Sequence, residues 1–93
     1  MTIYQSGIFM RKVKKFSKKE KVILDQEVKK ITKKPSIGVE KKGDLKGIFV
    51  HKFKFKTAQY LLAYRTFGED LELVLVGPHE NYYRDLKTYL KSK

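Results

Sequence analysis

The sequence predicts an α+β fold with the element order β-α-α-β-β-β-α, in which a helical hairpin lies on one face of an antiparallel sheet and the chain finishes in a helix. Three observations lead there. Apolar residues recur at helical spacing between Ile8 and Ile31, with a capping sequence between two helical runs and a proline after them. From Gly47 to Lys56, aromatic and basic side chains alternate with the period of a strand. Leu71 to Val76 is nearly all apolar, the composition of a strand covered on both faces, and a further helical run follows it. At 93 residues the chain is expected to be a single domain, 1–93, able to bury about 60–65% of its unfolded surface.

Thr2 to Gln5 has the composition of a short first strand. From Ile8 to Phe16, the residues Phe9, Val13 and Phe16 stand at i, i+4 and i+7 and mark an amphipathic helix. Ser17-Lys18-Lys19-Glu20 is a capping box: the hydroxyl accepts a backbone N–H three residues on, and Glu20 reaches back. The second helix carries Leu24, Val28 and Ile31 on its apolar stripe. It has Lys33 and Lys34 at the end where cations suit the dipole, and Pro35 stops it. Ser36 to Lys46, with two glycines and both signs of charge, reads as a loop.

The strand Gly47–Lys56 sends Phe49, His51, Phe53 and Phe55 to one face and Ile48, Val50, Lys52, Lys54 and Lys56 to the other. A second strand, Gln59 to Phe67, puts Tyr60, Leu62 and Tyr64 on one face and Leu61, Ala63 and Arg65 on the other. Gly68-Glu69-Asp70 turns the chain into the third strand. Gly77-Pro78 is expected to break that strand and to start a helix at His79, with Tyr82, Leu86 and Tyr89 along one side of it. On such a helix His79 and Tyr83, four residues apart, share a face. Hairpin-length connections make the last three strands an antiparallel meander. The helical hairpin then covers one face, and Lys52, Lys54 and the final helix lie on the other.

The formal net charge is +12, and it is unevenly placed. Residues 11–34 hold eleven Lys or Arg against three acids, residues 40–56 hold six against two, and residues 57–93 hold five against five. The positive field is confined to the first two thirds of the chain, and a polyanion or an acidic protein complements it. With no cysteine and only two histidines, neither a disulfide frame nor a metal site is expected, and no cofactor is called for. No apolar run approaches the ~18 residues of a membrane span, and the N-terminus lacks a signal-peptide pattern. A cytoplasmic protein without a membrane partner is therefore expected.

Ammonium groups at two-residue spacing stand about 6.5–7 Å apart on one strand face. They repel one another, so a purely structural strand gains little from them, whereas a strand that meets a phosphate chain gains much. RNA can be cut without metal when its 2′-hydroxyl attacks the adjacent phosphate and the 5′-oxygen leaves. The reaction needs a base, an acid and cations for the developing charge. Histidine exchanges a proton near neutral pH, which suits His79 to the role of acid. Neighbouring cations disfavour one another's charge, so either Lys52 or Lys54 serves as base while the other stabilises the phosphate. Arg65 offers a planar fork for phosphate, and Tyr83 a ring for a base or a hydroxyl for a phosphate. Lys46, Lys56 and Arg84 complete the RNA-binding set.

Each residue also has a plain structural reading. His79 reads equally as an exposed loop residue beside Pro78, Tyr83 as core, and the three lysines as a solvated strand face. His51, between Phe49 and Phe53, reads as a partly buried histidine with a satisfied ring. It is the combination that points to a site.

Leu45-Lys46-Gly47, Val50-His51-Lys52-Phe53-Lys54, Tyr60-Leu61-Leu62-Ala63-Tyr64 and Val76-Gly77-Pro78-His79-Glu80-Asn81-Tyr82-Tyr83 together resemble the RelE/ParE superfamily, small basic toxins of type II toxin–antitoxin systems. The resemblance extends over almost the whole chain through the order and spacing of these strings. It implies a microbial-ribonuclease-like fold and a cognate antitoxin, acidic or partly disordered, that wraps the toxin. It also implies a toxin monomeric on its own and part of a higher-order toxin–antitoxin complex. RelE-like members cut mRNA in the ribosomal A site, whereas ParE-like members poison DNA gyrase and lack the ribonuclease residues. By position, Lys52 and Lys54 match the paired strand lysines of RelE-like toxins, and His79 and Tyr83 match the histidine and later aromatic residue of the histidine-using branch. Leu61 departs from the pattern, because many lysine-using members carry an arginine there. The main expectation is a ribosome-dependent mRNA endonuclease. The alternatives are a gyrase inhibitor without nuclease activity and a non-catalytic basic nucleic-acid-binding domain.

Overall fold

The computed structural model describes residues 1–91. Its elements are β1 (Ile3–Gln5), α1 (Gly7–Lys14), α2 (Lys18–Lys33), β2 (Val39–Glu40), β3 (Phe49–Phe55), β4 (Ala58–Phe67), β5 (Asp70–Pro78) and α3 (Tyr82–Lys91), with single 3-10 turns at Pro35–Ile37 and Gly43–Leu45. The five strands form one sheet in the order β1-β5-β4-β3-β2. β3, β4 and β5 make the expected antiparallel meander, and β2 adds to β3 in the same sense. β1 completes the far edge, paired parallel to β5. Among the described residues, no helix is long and apolar enough to cross a membrane.

Each side of the sheet carries its own core. On one side Phe9, Leu24 and Ile31 of the helical hairpin pack on Phe53, Leu62, Tyr64, Leu71, Leu73 and Val76. On the other, Tyr82 and Leu86 of α3 pack on Val50, Leu61, Ala63, Val74 and Leu75. A bulge explains how one run of apolar residues serves both cores. Ala63 pairs with Leu75 and Tyr64 with Leu73, so Val74 is left over and the facing pattern of β5 changes there. Ser6 uses the irregularity. Its backbone N–H donates to the Leu73 carbonyl and its hydroxyl to the Val74 carbonyl. The same oxygen caps α1 by accepting the Phe9 N–H at 3.0 Å.

α2 begins as the sequence predicts. Ser17 accepts the Glu20 N–H and Glu20 returns a carboxylate oxygen to the Ser17 N–H. The second Glu20 oxygen accepts from the Tyr60 hydroxyl at 2.9 Å, so the cap is also tied to the sheet. The stretch 36–46 is more ordered than a loop. Tyr64, fully buried, donates its hydroxyl to the Pro35 carbonyl at 2.6 Å and accepts the Gly38 N–H at 2.9 Å. A Cβ at position 38 would fall 2.6 Å from that hydroxyl oxygen, so the close approach requires glycine.

His51 is the partly buried histidine the sequence predicts. Its Nε2 lies 2.7 Å from Glu27 Oε1, and Lys30 Nζ lies 2.9 Å from Glu27 Oε2. Burial alone would raise the Glu27 carboxyl, but hydrogen bonds from His51 and Lys30 and their charges outweigh it and hold the group below its ordinary value of 4.5. A carboxyl lowered in the folded state adds stability above its unfolded value and loses it as the pH falls through the folded one. Chemical unfolding should therefore show stability declining below about pH 4.5, and Glu27→Gln should remove part of that decline. Parallel pH curves for the two proteins would show that the pair does not supply it.

Candidate functional site

Two rows of residues run across the sheet on the α3 side. In the first, Lys52 pairs with Leu61 and Leu61 with Gly77. In the second, Lys54 pairs with Gln59, whose carbonyl accepts the His79 N–H at 3.1 Å. The parity of the strands puts Lys52 and Lys54 on the face of Val50 and Leu61, under α3. Neighbouring strands lie about 4.8 Å apart, so the backbones of Lys54 and His79 are separated by about 10 Å. Both lysines and His79 are exposed, while Leu61, beside Lys52 in the first row, is fully buried and forms an apolar floor.

The local chain at His79 corrects the sequence reading. β5 does not break at Gly77-Pro78 but runs to Pro78, opposite Tyr60. The helix starts at Tyr82 rather than His79, and Asn81 takes a left-handed conformation at φ 59°. Ladder pairing with β4 extends the strand, and Pro78 has no N–H to withdraw from it. His79 and Tyr83 are therefore not neighbours along a helix. They meet because the turn folds back: their ring centroids are 6.3 Å apart, edge to face at 81°. The turn is closed by the Tyr82 N–H donating to the His79 carbonyl at 3.2 Å.

Tyr82 anchors this arrangement. Its ring is buried, its hydroxyl donates to the Leu75 carbonyl at 2.6 Å, and burial pushes that hydroxyl far above its ordinary titration range. Tyr83 packs edge to face on it with centroids 5.7 Å apart. A buried Tyr82 thus holds a half-buried Tyr83 against an exposed His79.

The other predicted residues divide. Lys46, at the end of the second 3-10 turn, and Arg84, on α3, are exposed, and Arg84 lies 3.5 Å from Asp85. Lys56 does not continue the lysine row. It sits in the β3–β4 turn at φ 55°, with its ammonium 5.6 Å from the Phe55 ring centroid. Arg65 is not brought to the lysines. It stands four residues from Leu61, about 13 Å along β4, bonded through Nε to Glu72 and stacked on Phe67. One cation was missed: Lys41 places its ammonium 5.2 Å from the Tyr83 ring centroid. Its backbone N–H donates to the Ile48 carbonyl at 2.8 Å, next to the short pairing of β2 with β3. The available signal was the pair Lys41-Lys42 in a stretch read as a loop.

A sequence profile of the ParE-like toxins of type II bacterial toxin–antitoxin systems matches residues 3–87. No curated protein sequence matches the chain. Among solved structures, a chain of the intact E. coli RelBE toxin–antitoxin complex is similar at TM-score 0.68 and 16% identity, over 85% of this chain and 96% of that one. The isolated E. coli RelE toxin gives 0.65 at 16% identity, over 95% and 97% of the two chains. A conserved hypothetical protein from Helicobacter pylori gives 0.54 at 19% identity, over 85% and 94%. The structures share the fold, and the profile spans nearly the whole sequence: the chain belongs to the ParE-like toxin family of type II bacterial toxin–antitoxin systems, within the RelE/ParE superfamily.

Proposed function

We propose that the chain is a RelE-type endoribonuclease that acts in the cytoplasm on mRNA in the ribosomal A site and is neutralised by a cognate acidic antitoxin. The observations that support this reading are that Lys52 and Lys54 share the α3 face of β3, that Gln59 joins the backbones of Lys54 and His79 two strands apart, and that the Tyr83 ring has His79 and the Lys41 ammonium as neighbours. A nucleotide lying across β3 and β4 would have lysines on one side of the scissile phosphate and the imidazole on the other. One lysine takes the 2′-hydroxyl proton, the 2′-oxygen bonds to phosphorus, and His79 gives a proton to the departing 5′-oxygen. The products are a 2′,3′-cyclic phosphate and a free 5′-hydroxyl. The second lysine and Lys41 stabilise the charge on the phosphoryl oxygens. Tyr83, braced by Tyr82, positions the substrate. Arg65 is omitted because Glu72 already holds it elsewhere.

The test has two parts. Induction of the chain alone should arrest growth, and coexpression of the antitoxin encoded beside it should restore growth. Primer extension on mRNA after induction should reveal new 5′ ends within translated regions. Growth arrest with intact mRNA and damaged DNA would instead support gyrase inhibition.

Binding to ribosomes or RNA should also weaken steeply with salt, because each neutralised phosphate releases counterions. Lys52→Ala and Lys54→Ala should each make the log–log salt slope shallower by up to about one unit. Fluorescence anisotropy over a salt series measures this, and a wild-type slope near zero would remove phosphate from the role assigned to these lysines.

A further inference from the structure

We propose that Gln59 is a further catalytic residue, whose carboxamide donates to a non-bridging oxygen of the scissile phosphate, an inference that rests on the endoribonuclease reading above. Gln59 is the second residue of β4. It pairs with Lys54 of β3 on one side, and on the other its backbone carbonyl accepts the His79 N–H at 3.1 Å. The next residue, Tyr60, packs against the core under the helical hairpin, and Leu61 belongs to the core under α3. Alternation along the strand therefore puts the Gln59 side chain on the α3 face, with Lys54. The residue is exposed, and among the described residues its carboxamide bonds to no other side chain.

The place of Gln59 in the row decides its role. In the transfer step the attacking 2′-oxygen and the departing 5′-oxygen lie roughly in line on opposite sides of phosphorus, and the non-bridging oxygens lie around the middle. A base on β3 and an acid just after β5 leave those oxygens over β4, where Gln59 stands. Negative charge grows on them as the phosphorane forms, and donors fixed at that place stabilise it. The carboxamide brings two N–H donors. Being uncharged, it adds no third positive charge beside Lys54 and His79, whose proton exchange depends on the local field. The other β4 side chains on this face offer no substitute. Leu61 and Ala63 are fully buried and apolar. Arg65 stands six residues along the strand, about 20 Å away, and is bonded to Glu72. Gln59 neither gives nor takes a proton in the step; it holds the phosphate while a lysine and His79 move theirs.

The experiment compares single-turnover cleavage of ribosome-bound mRNA by wild type, Gln59→Ala and Gln59→Met. The substrates carry oxygen or, as separate diastereomers, one sulfur at the non-bridging positions of the cleaved linkage. Both variants keep the backbone carbonyl that holds His79, and methionine also keeps the length of the side chain. Each should cleave about 10²-fold more slowly than wild type, the lower end of the loss when one donor to a developing oxyanion is removed. Sulfur accepts hydrogen bonds weakly, so one diastereomer should be cut slowly by wild type, and that penalty should shrink in both variants. Because Gln59 does not titrate, the pH–rate profile should fall in height without moving along the pH axis. A wild-type rate in Gln59→Ala or Gln59→Met would overturn the inference while leaving the nuclease reading intact. So would a slowing with an undiminished sulfur penalty, or one that varies with the base at the cleavage site, which would assign the carboxamide to base recognition. If wild type does not cleave ribosome-bound mRNA at all, the nuclease reading itself fails, and the role of Gln59 with it.

Discussion

Replacing His79 by alanine should slow cleavage of ribosome-bound mRNA by ~10²–10⁴-fold, the usual contribution of a positioned proton donor. The fold should survive. The bond from this residue to Gln59 is made by its backbone N–H, and its ring is exposed, resting only against Tyr83 among the contacts described. Antitoxin binding should likewise persist, so the variant separates catalysis from recognition. His51→Ala should behave in the opposite way: it removes a partner of the buried Glu27 and should lower stability before activity. Single-turnover cleavage with circular dichroism on both variants distinguishes the two. A wild-type rate for His79→Ala would shift proton transfer to the lysines, and absence of cleavage by a wild type that still poisons gyrase would displace the nuclease reading altogether.

Tyr64→Ala should cost about 3–5 kcal/mol, the usual loss when a large aromatic side chain is deleted from a core. That is a large part of the ~5–15 kcal/mol available to a small domain. Tyr64 is fully buried, stacks on Phe49 with centroids 5.6 Å apart, and is the only contact described here that ties the Pro35–Gly38 turn to β4 through both a donor and an acceptor. Tyr64→Phe keeps the ring but leaves the Gly38 N–H and the Pro35 carbonyl without this partner, and should cost about 1–3 kcal/mol. Urea unfolding of the two variants measures both terms. Equal losses would mean that the hydroxyl carries the whole contribution, and a loss below about 1 kcal/mol for Tyr64→Phe would mean that water replaces it.

Much of the architecture was legible because it is locally encoded. The Ser17 capping box, the stop at Pro35, the stripe of Leu24, Val28 and Ile31, and the alternation of aromatic and lysine side chains on β3 all arise from residues within a few positions of one another. The same alternation put Lys52 and Lys54 on the α3 side of the sheet. Where the reading failed, a distant pairing had overridden a local signal. Gly77-Pro78 looked like a break, yet β4 holds both residues in the ladder. Residues 36–46 looked like a loop, yet Tyr64 and β3 order them and bring Lys41 over Tyr83.

The sequence alone determined the periodicities, the caps, the alternating faces and a positive field in the first two thirds of the chain, because these depend on covalent spacing and side-chain type. Only the tertiary structure decided which of the basic residues stand together. Arg65 shares its strand face with Leu61, but Glu72 on the neighbouring strand holds it away from the lysines. His79 and Tyr83 meet, though through a left-handed turn at Asn81 and not through a helix face. A side chain's partner is set by the register between strands and by the buried tyrosines that fix the turns, and neither is encoded within the few residues that surround it in sequence.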